Sequence, residues 1–204
     1  QVYIDTIEDI DAENNIVRGN SGTKYVYAKL VLALGVVTTY FGIPGLEAFT
    51  YGIKSEGEIK KLKQRLFIDI AEKNQLDRNY IVIGAGPTGT ELSAALGTYI
   101  KRLCKHYGVK SHRVKIHLIE AAPRVLPRSS EITSRIVENR LRNLGVNVET
   151  SKKVEEANAQ ALIVSGRPIE SHTVIWTSGV ANNPLFAKYP KVFTLDPRGK
   201  VVAN

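Results

Sequence analysis

The stretch NYIVIGAGPTGTELSAALGTYI, residues 79–100, sets the reading of the whole chain. An apolar run, Tyr80 to Ile83, meets Gly84, Gly86 and Gly89 at G-x-G-x-x-G spacing, and a helical pattern follows. By itself this spacing also marks ordinary tight turns. In this context each glycine has a use. Gly84 directly follows a strand and can make the tight turn. Gly86 lets backbone approach a pyrophosphate with no Cβ in the way, and Gly89 permits close packing of helix on strand. Pro87 stands where the helix begins, and its fixed φ suits a first helical position. The N–H groups after it, from Thr88 onward, have no intrahelical acceptor, and the helix dipole adds partial positive charge there. An anion is the natural partner.

Downstream, strands and helices alternate. The pattern predicts a strand over 80–83, a helix over 87–105, a strand over 114–119, a helix over 130–144 and a strand over 146–149. VEEANAQALIVSG (154–166) reads as a β excursion, and HTVIWTSGV (172–180) as a last buried strand ending in Gly. Alternation of this kind argues an α/β, Rossmann-like dinucleotide-binding domain with a parallel central sheet and right-handed crossovers. Upstream, VYIDTI, NIVR and KYVYAK read as short strands of an antiparallel meander, with Asp, Asn, Gly and Ser between them. YVYAK (25–29) also matches a Tyr-x-x-x-Lys pair, but it precedes the glycine loop and reads as a strand. KLVLALG (29–35) is a continuous apolar run that suits a strand buried on both faces. FGIPGLEAF reads as a loop. Residues 55–73 follow a helical period, with Ile59, Leu62, Leu66 and Ile70 on one face.

An acid at the end of the next strand is the second half of a dinucleotide fingerprint. VKIHLIE (114–120) delivers Glu120 there. The gap from Gly84 exceeds the usual roughly 20 residues, because a long helix and the loop KHYGVKSHR intervene. Glu120 would accept hydrogen bonds from the adenine-ribose hydroxyls of NAD and repel the 2′-phosphate of NADP. Its other reading is a solvated residue at a strand end. Arg124, four residues on, could stack on adenine, meet a 2′-phosphate, or simply be exposed.

The chain has 204 residues, 43% of them hydrophobic, enough for a buried core. No apolar run approaches the length of a membrane span. The first residues, QVYIDTIEDID, lack a basic n-region and an apolar h-region, so no signal peptide is expected in them. The single cysteine, Cys104, allows no internal disulfide and no redox pair, and reads as buried or inert. His106, His112, His117 and His172 show no ligand spacing, so no metal site is argued. The net charge of +8 is carried by scattered Lys and Arg that read first as a solvated surface and second as a phosphate- or membrane-facing patch, with one loose cluster at Lys101, Arg102, Lys105, Lys110 and Arg113. With little aromatic interleaving, no nucleic-acid partner is expected.

Together, VIGAGPTGTELSAAL (82–96), IHLIEAAPRVLP (116–127) and TVIWTSGV (173–180) resemble the second nucleotide-binding domain of a type II NADH dehydrogenase. That is a quinone-reducing flavoprotein with two dinucleotide-binding domains. KLVLALGVVTTYFGIPG (29–45) is similar to that family's crossover from the FAD domain into the NADH domain. The resemblance implies a division into partial FAD-domain strands and crossover (1–50), an NAD(H)-binding domain (51–190) and a return toward the FAD domain (191–204). It also implies NADH as ligand, FAD and quinone as partners of the intact enzyme, and hydride transfer from nicotinamide to flavin. The cofactor-binding set is then Gly84, Gly86, Pro87, Thr88, Gly89, Glu91, Glu120, Arg124, Ser178 and Gly179.

Within that set, the resemblance points Glu91 toward the nicotinamide and flavin rings, as the one catalytic candidate. Read by itself, Glu91 is an acid in the first helical turn, favoured by the dipole. The resemblance also puts Ser178 and Gly179 near the nicotinamide and Gly35 near FAD. A chain that starts at Gln1 and has no Met is expected to be a piece of a longer protein. The piece is expected in the cytoplasm. The intact enzyme is expected peripherally on the cytoplasmic face of the membrane, attached through segments outside this sequence. Two other readings stay open: a non-catalytic NAD-sensing module, and a flavin reductase that serves a protein acceptor such as ferredoxin.

Overall fold

A computed structural model describes residues 1–73, 75–110, 114–197 and 199–202. In chain order the elements are β1 (Ile7–Asp11), β2 (Ile16–Gly19), β3 (Lys24–Val26), β4 (Val36–Thr38), α1 (Leu46–Phe49) and α2 (Glu56–Phe67). A π-helical turn over Ile68–Glu72 follows, then β5 (Asn79–Ile83), α3 (Pro87–Tyr107), β6 (Lys115–Ile119), α4 (Glu131–Asn143) and β7 (Val146–Glu149). The rest are β8 (Val154–Ala157), β9 (Ala161–Val164), β10 (Arg167–Glu170), β11 (Thr173–Trp176), β12 (Val180–Asn182) and α5 (Leu185–Lys188). The chain divides into two compact units, Gln1–Val36 with Ala181–Asn204, and Val37–Val180.

The larger unit is the α/β domain that the glycine loop announces. Its sheet has the order β11-β5-β6-β7, and every pair is parallel. Alternate side chains of these strands enter two cores, as the pleat requires. Tyr80, Val82, Ile116, Leu118, Val146, Val148 and Ile175 pack with Leu62, Leu66 and Ile70, with Leu96, Ile100 and Cys104 of α3, and with Leu141 of α4. Ile81, Ile83, Ile119, Val174 and Trp176 pack on the other side with Leu46, Ala157, Leu162 and Val164. That second layer is the predicted β excursion, a three-stranded antiparallel sheet in the order β10-β9-β8. Helix α3 stops at Gly108, whose φ of 71° is easy only for glycine. Helix α2 starts at Ser55, whose side chain accepts from the Glu58 N–H while Glu58 reaches back, a capping box.

In the smaller unit β1, β2 and β3 form the antiparallel meander, with a bulge between Ile7 and Asp9. The Tyr189 hydroxyl accepts from Ile10 N (2.9 Å) and donates to Asp9 Oδ1 (2.8 Å). One expectation fails here. Residues 29–35 are not a buried strand: they have irregular backbone, and Val31 is 87% exposed. An apolar run becomes a buried strand only where neighbours accept its N–H and C=O groups and cover both faces. Among the described residues no strand pairs with 29–35.

Candidate functional site

The parallel strands of the larger unit end level. The register pairs Trp176 with Ile83, Ile83 with Ile119, and Ile119 with Glu149. Thr177, Gly84 and Glu120 therefore leave the sheet side by side, at the carboxyl edge where open α/β sheets hold their ligands.

The three loop glycines answer to different causes. Gly84 has φ 102°, and a Cβ there would lie 2.2 Å from Ser178 Oγ. A Cβ on Gly89 would lie 1.8 Å from the Gly84 carbonyl oxygen and 2.7 Å from Thr177 Oγ1. Both are demanded by the protein itself. Gly86, the N-cap of α3, has an extended backbone, and a Cβ there would meet no protein atom within 4 Å. Among the described residues, nothing in the packing asks for a glycine at 86. Pro87 occupies the first helical position, and Thr90 N makes the first intrahelical bond, to Gly86 O (3.0 Å). The N–H groups of Thr88 and Gly89 precede that bond and have no acceptor within the helix.

Glu120 directly follows β6 and is half-buried. Its Oε2 accepts from Ala85 N (2.6 Å) and its Oε1 from Ala122 N (2.8 Å). The carboxylate thus ties the glycine loop to its own strand end, and each oxygen keeps a second lone pair for a ligand hydroxyl. Arg124 turns inward. Its Nη1 donates to Ser129 O (2.9 Å) and its Nη2 to Pro127 O (2.8 Å), closing the loop 124–130. That loop is clamped to the glycine loop, because Leu126 N donates to Ala85 O (2.7 Å). Leu126 holds φ 46°, an uncommon conformation for a branched apolar residue. No sequence signal marks the Leu126 contact, since its cause is the meeting of two loops.

At the other end, Thr177 Oγ1 donates to Ile83 O (2.7 Å) and sits 3.0 Å from Gly84 O. Ser178 covers Gly84, and a Cβ on Gly179 would lie 1.9 Å from the Thr39 carbonyl oxygen. Glu91 is exposed, and it is the fifth residue of α3, in the second turn. The expected first-turn placement is corrected, because the helix begins at Pro87 and a turn takes 3.6 residues. The structure thus gathers Gly84, Gly86, Pro87, Thr88, Gly89, Glu120, Ser178 and Gly179 along one edge, with Arg124 beside them but engaged elsewhere.

Cys104 is buried in the helix-side core, and burial pushes its thiol up, away from the reactive thiolate. Among the described residues no group of His, Cys, Asp or Glu could hold a metal ion. His117 spans Glu149 Oε1 and Asn79 Oδ1, both at 3.1 Å. Lys101, Arg102, Lys105 and Lys110 are exposed; Arg113 and His112 lie outside the described residues. No described helix is long and apolar enough to cross a membrane.

Comparison with known proteins agrees with this geometry. The pyridine nucleotide-disulphide oxidoreductase family matches residues 1–204. The chain is 31% identical over 208 residues to a type II NADH:quinone oxidoreductase of Staphylococcus haemolyticus, covering 97% of this chain and 51% of that protein. It thus spans about half the length of that curated relative. Its fold is similar to that of Plasmodium falciparum NDH2 in complex with NADH, with TM-score 0.77, 25% identity, 92% of this chain and 43% of that one. It is also similar in fold to a ferredoxin reductase from Rhodopseudomonas palustris, with TM-score 0.76, 22% identity, 98% of this chain and 45% of that one. A glycine loop at the carboxyl edge of a parallel sheet, a carboxylate bonded to that loop and a family match along the whole chain agree: the chain belongs to the pyridine nucleotide-disulphide oxidoreductase family.

Proposed function

We propose that residues 37–180 bind NADH, and that the whole protein is a flavin-dependent NADH dehydrogenase that passes electrons to quinone. The observation that carries the binding site is the open space at Gly86. A pyrophosphate laid over Gly86 meets the Thr88 and Gly89 N–H groups and the positive end of α3. Glu120 then accepts from the adenine-ribose hydroxyls and disfavours a 2′-phosphate by charge. Ser178 and Gly179 border the nicotinamide, with Glu91 on the exposed side of α3. The chain's contribution is to bind and orient the dinucleotide and to keep its charged middle on fixed N–H donors. Flavin, when bound to the whole protein, supplies the hydride acceptor. Gly35, the residue assigned to it by resemblance, ends the irregular run 29–35.

Quinone as acceptor is favoured over a protein acceptor by the Staphylococcus haemolyticus relative at 31% identity; the ferredoxin reductase likeness, at 22%, concerns the fold. Membrane attachment, in this reading, belongs to other parts of the whole protein. Titration calorimetry of the chain with NADH and NADPH tests the site. Binding several-fold tighter for NADH, with the preference shrinking in Glu120→Gln, is the expected result. Equal or tighter NADPH binding would overturn the role given to Glu120.

A further inference from the structure

Phe41 stands in a turn that neither its backbone preference nor its burial explains. Ile43 N donates to Tyr40 O (3.1 Å), and the two central residues, Phe41 and Gly42, have φ 52° and 70°. Turns with two positive φ values favour Gly, Asn and Asp; a bulky aromatic there is strained. Such strain persists where the surroundings hold it, and it gathers at ligand sites. Nor is the ring hidden. It meets the Trp176 ring in a T-shaped contact at 6.1 Å between centroids, yet Phe41 remains 65% exposed.

The turn is fastened to the nicotinamide end of the site. Thr39 N donates to Gly179 O (3.2 Å), and the Trp176 indole donates to Thr39 O (2.8 Å). Gly179 has no Cβ to keep Thr39 away, and Trp176 directly precedes Thr177, Ser178 and Gly179. An exposed, flat, apolar ring is thereby held two residues from the contact that anchors the Ser178–Gly179 loop.

We propose that Phe41 is a binding residue for the nicotinamide moiety, its ring forming an apolar wall against which the planar nicotinamide packs. This rests on the reading of the carboxyl edge as the NADH site. The chemistry suits the ligand. A neutral dihydronicotinamide ring has no charge to satisfy, and an aromatic wall orients it through ring contact. ADP-ribose has the same adenosine and pyrophosphate but no such ring, so it separates this end of the site from the other.

Calorimetry on the whole 204-residue chain with NADH and ADP-ribose, for Phe41→Asn and Phe41→Tyr, is the test. Asn accepts positive φ readily, so Phe41→Asn removes the ring without breaking the turn. It is expected to weaken NADH about three- to tenfold and to leave ADP-ribose binding unchanged, while Phe41→Tyr keeps both. Unchanged NADH affinity in Phe41→Asn overturns the proposal, and so does an equal loss for both ligands, which would mark an effect through the fold. Failure of the unaltered chain to bind either ligand sinks the NADH reading itself, and this proposal with it.

Discussion

Gly86 and Gly89 stand three residues apart at the start of α3, yet a side chain at each would meet opposite surroundings. Gly86→Val places its branches in open space, so circular dichroism and melting temperature are expected to stay as they are while nucleotide binding is lost. Gly89→Val drives Cβ into the Gly84 carbonyl and is expected to destabilise the unit by about 1–3 kcal/mol, read by denaturant unfolding. Normal NADH affinity in a folded Gly86→Val chain would place the ligand elsewhere. Arg124 supports a third expectation. Its fork holds the carbonyls of Pro127 and Ser129, so Arg124→Lys should cost about 1–2 kcal/mol of stability and leave the NADH-to-NADPH ratio untouched. A changed ratio would return Arg124 to the nucleotide. The packing roles of Gly84 and Gly89 were legible because spacing, strand and Pro87 agree. The engagement of Arg124 was not, because its acceptors are backbone carbonyls brought round by the turn after it.

At the level of elements, α2 shows what a pattern of residues can and cannot announce. Its apolar spacing and the Ser55–Glu58 pair mark the helix start in the sequence. Ser55→Ala is expected to cost about 1 kcal/mol in chemical unfolding. Burial pushes the Glu58 carboxyl up, but hydrogen bonds from Ser55, Thr38 and Lys54 outweigh it and leave the group below its ordinary value. A lowered carboxyl stabilises fully above its ordinary range and loses that contribution as pH falls through the lowered value. The melting-temperature gap between the unaltered chain and Glu58→Gln is therefore expected to close on acidification; a gap constant down to pH 3 would contradict this. The same periodicity ran on to residue 73, whereas the structure passes into a π-helical turn at Ile68. There Lys73 N reaches Ile68 O (2.9 Å), and Arg65 Nε lies 2.6 Å from Asp69 Oδ2 in an ion pair. One widened turn shifts the apolar face by too little to appear in a hydrophobic pattern.

Across the whole molecule, stability is unevenly spread. β5 and β6 lie between two packed layers, with Ile81, Val82 and Leu118 fully buried. Residues 29–35 pair with no strand among those described. Hydrogen exchange should therefore find the β5 and β6 amides protected to near the global unfolding limit, and those of 30–35 exchanging within seconds. Slow exchange at 30–35 would mean that a partner covers them in solution. The parallel sheet and the excursion were legible because their partners lie within residues 79–180 and each strand's burial follows from its own neighbours. The run 29–35 was misread because burial on two faces is a property of what surrounds a strand, which its own composition cannot supply.

The bond from Ala85 N to Glu120 has a consequence for how such a domain can change over generations. The residue proposed to discriminate between dinucleotides is also a fastener of the loop proposed to hold them. A lineage drifting toward the phosphorylated dinucleotide cannot simply discard the acid for a small or basic residue, because the loop would loosen in the same step. The accessible path runs through an uncharged acceptor at this position, or through a prior change elsewhere that holds Ala85, and only then through a cation. The order in which substitutions arrive would be constrained by a single hydrogen bond.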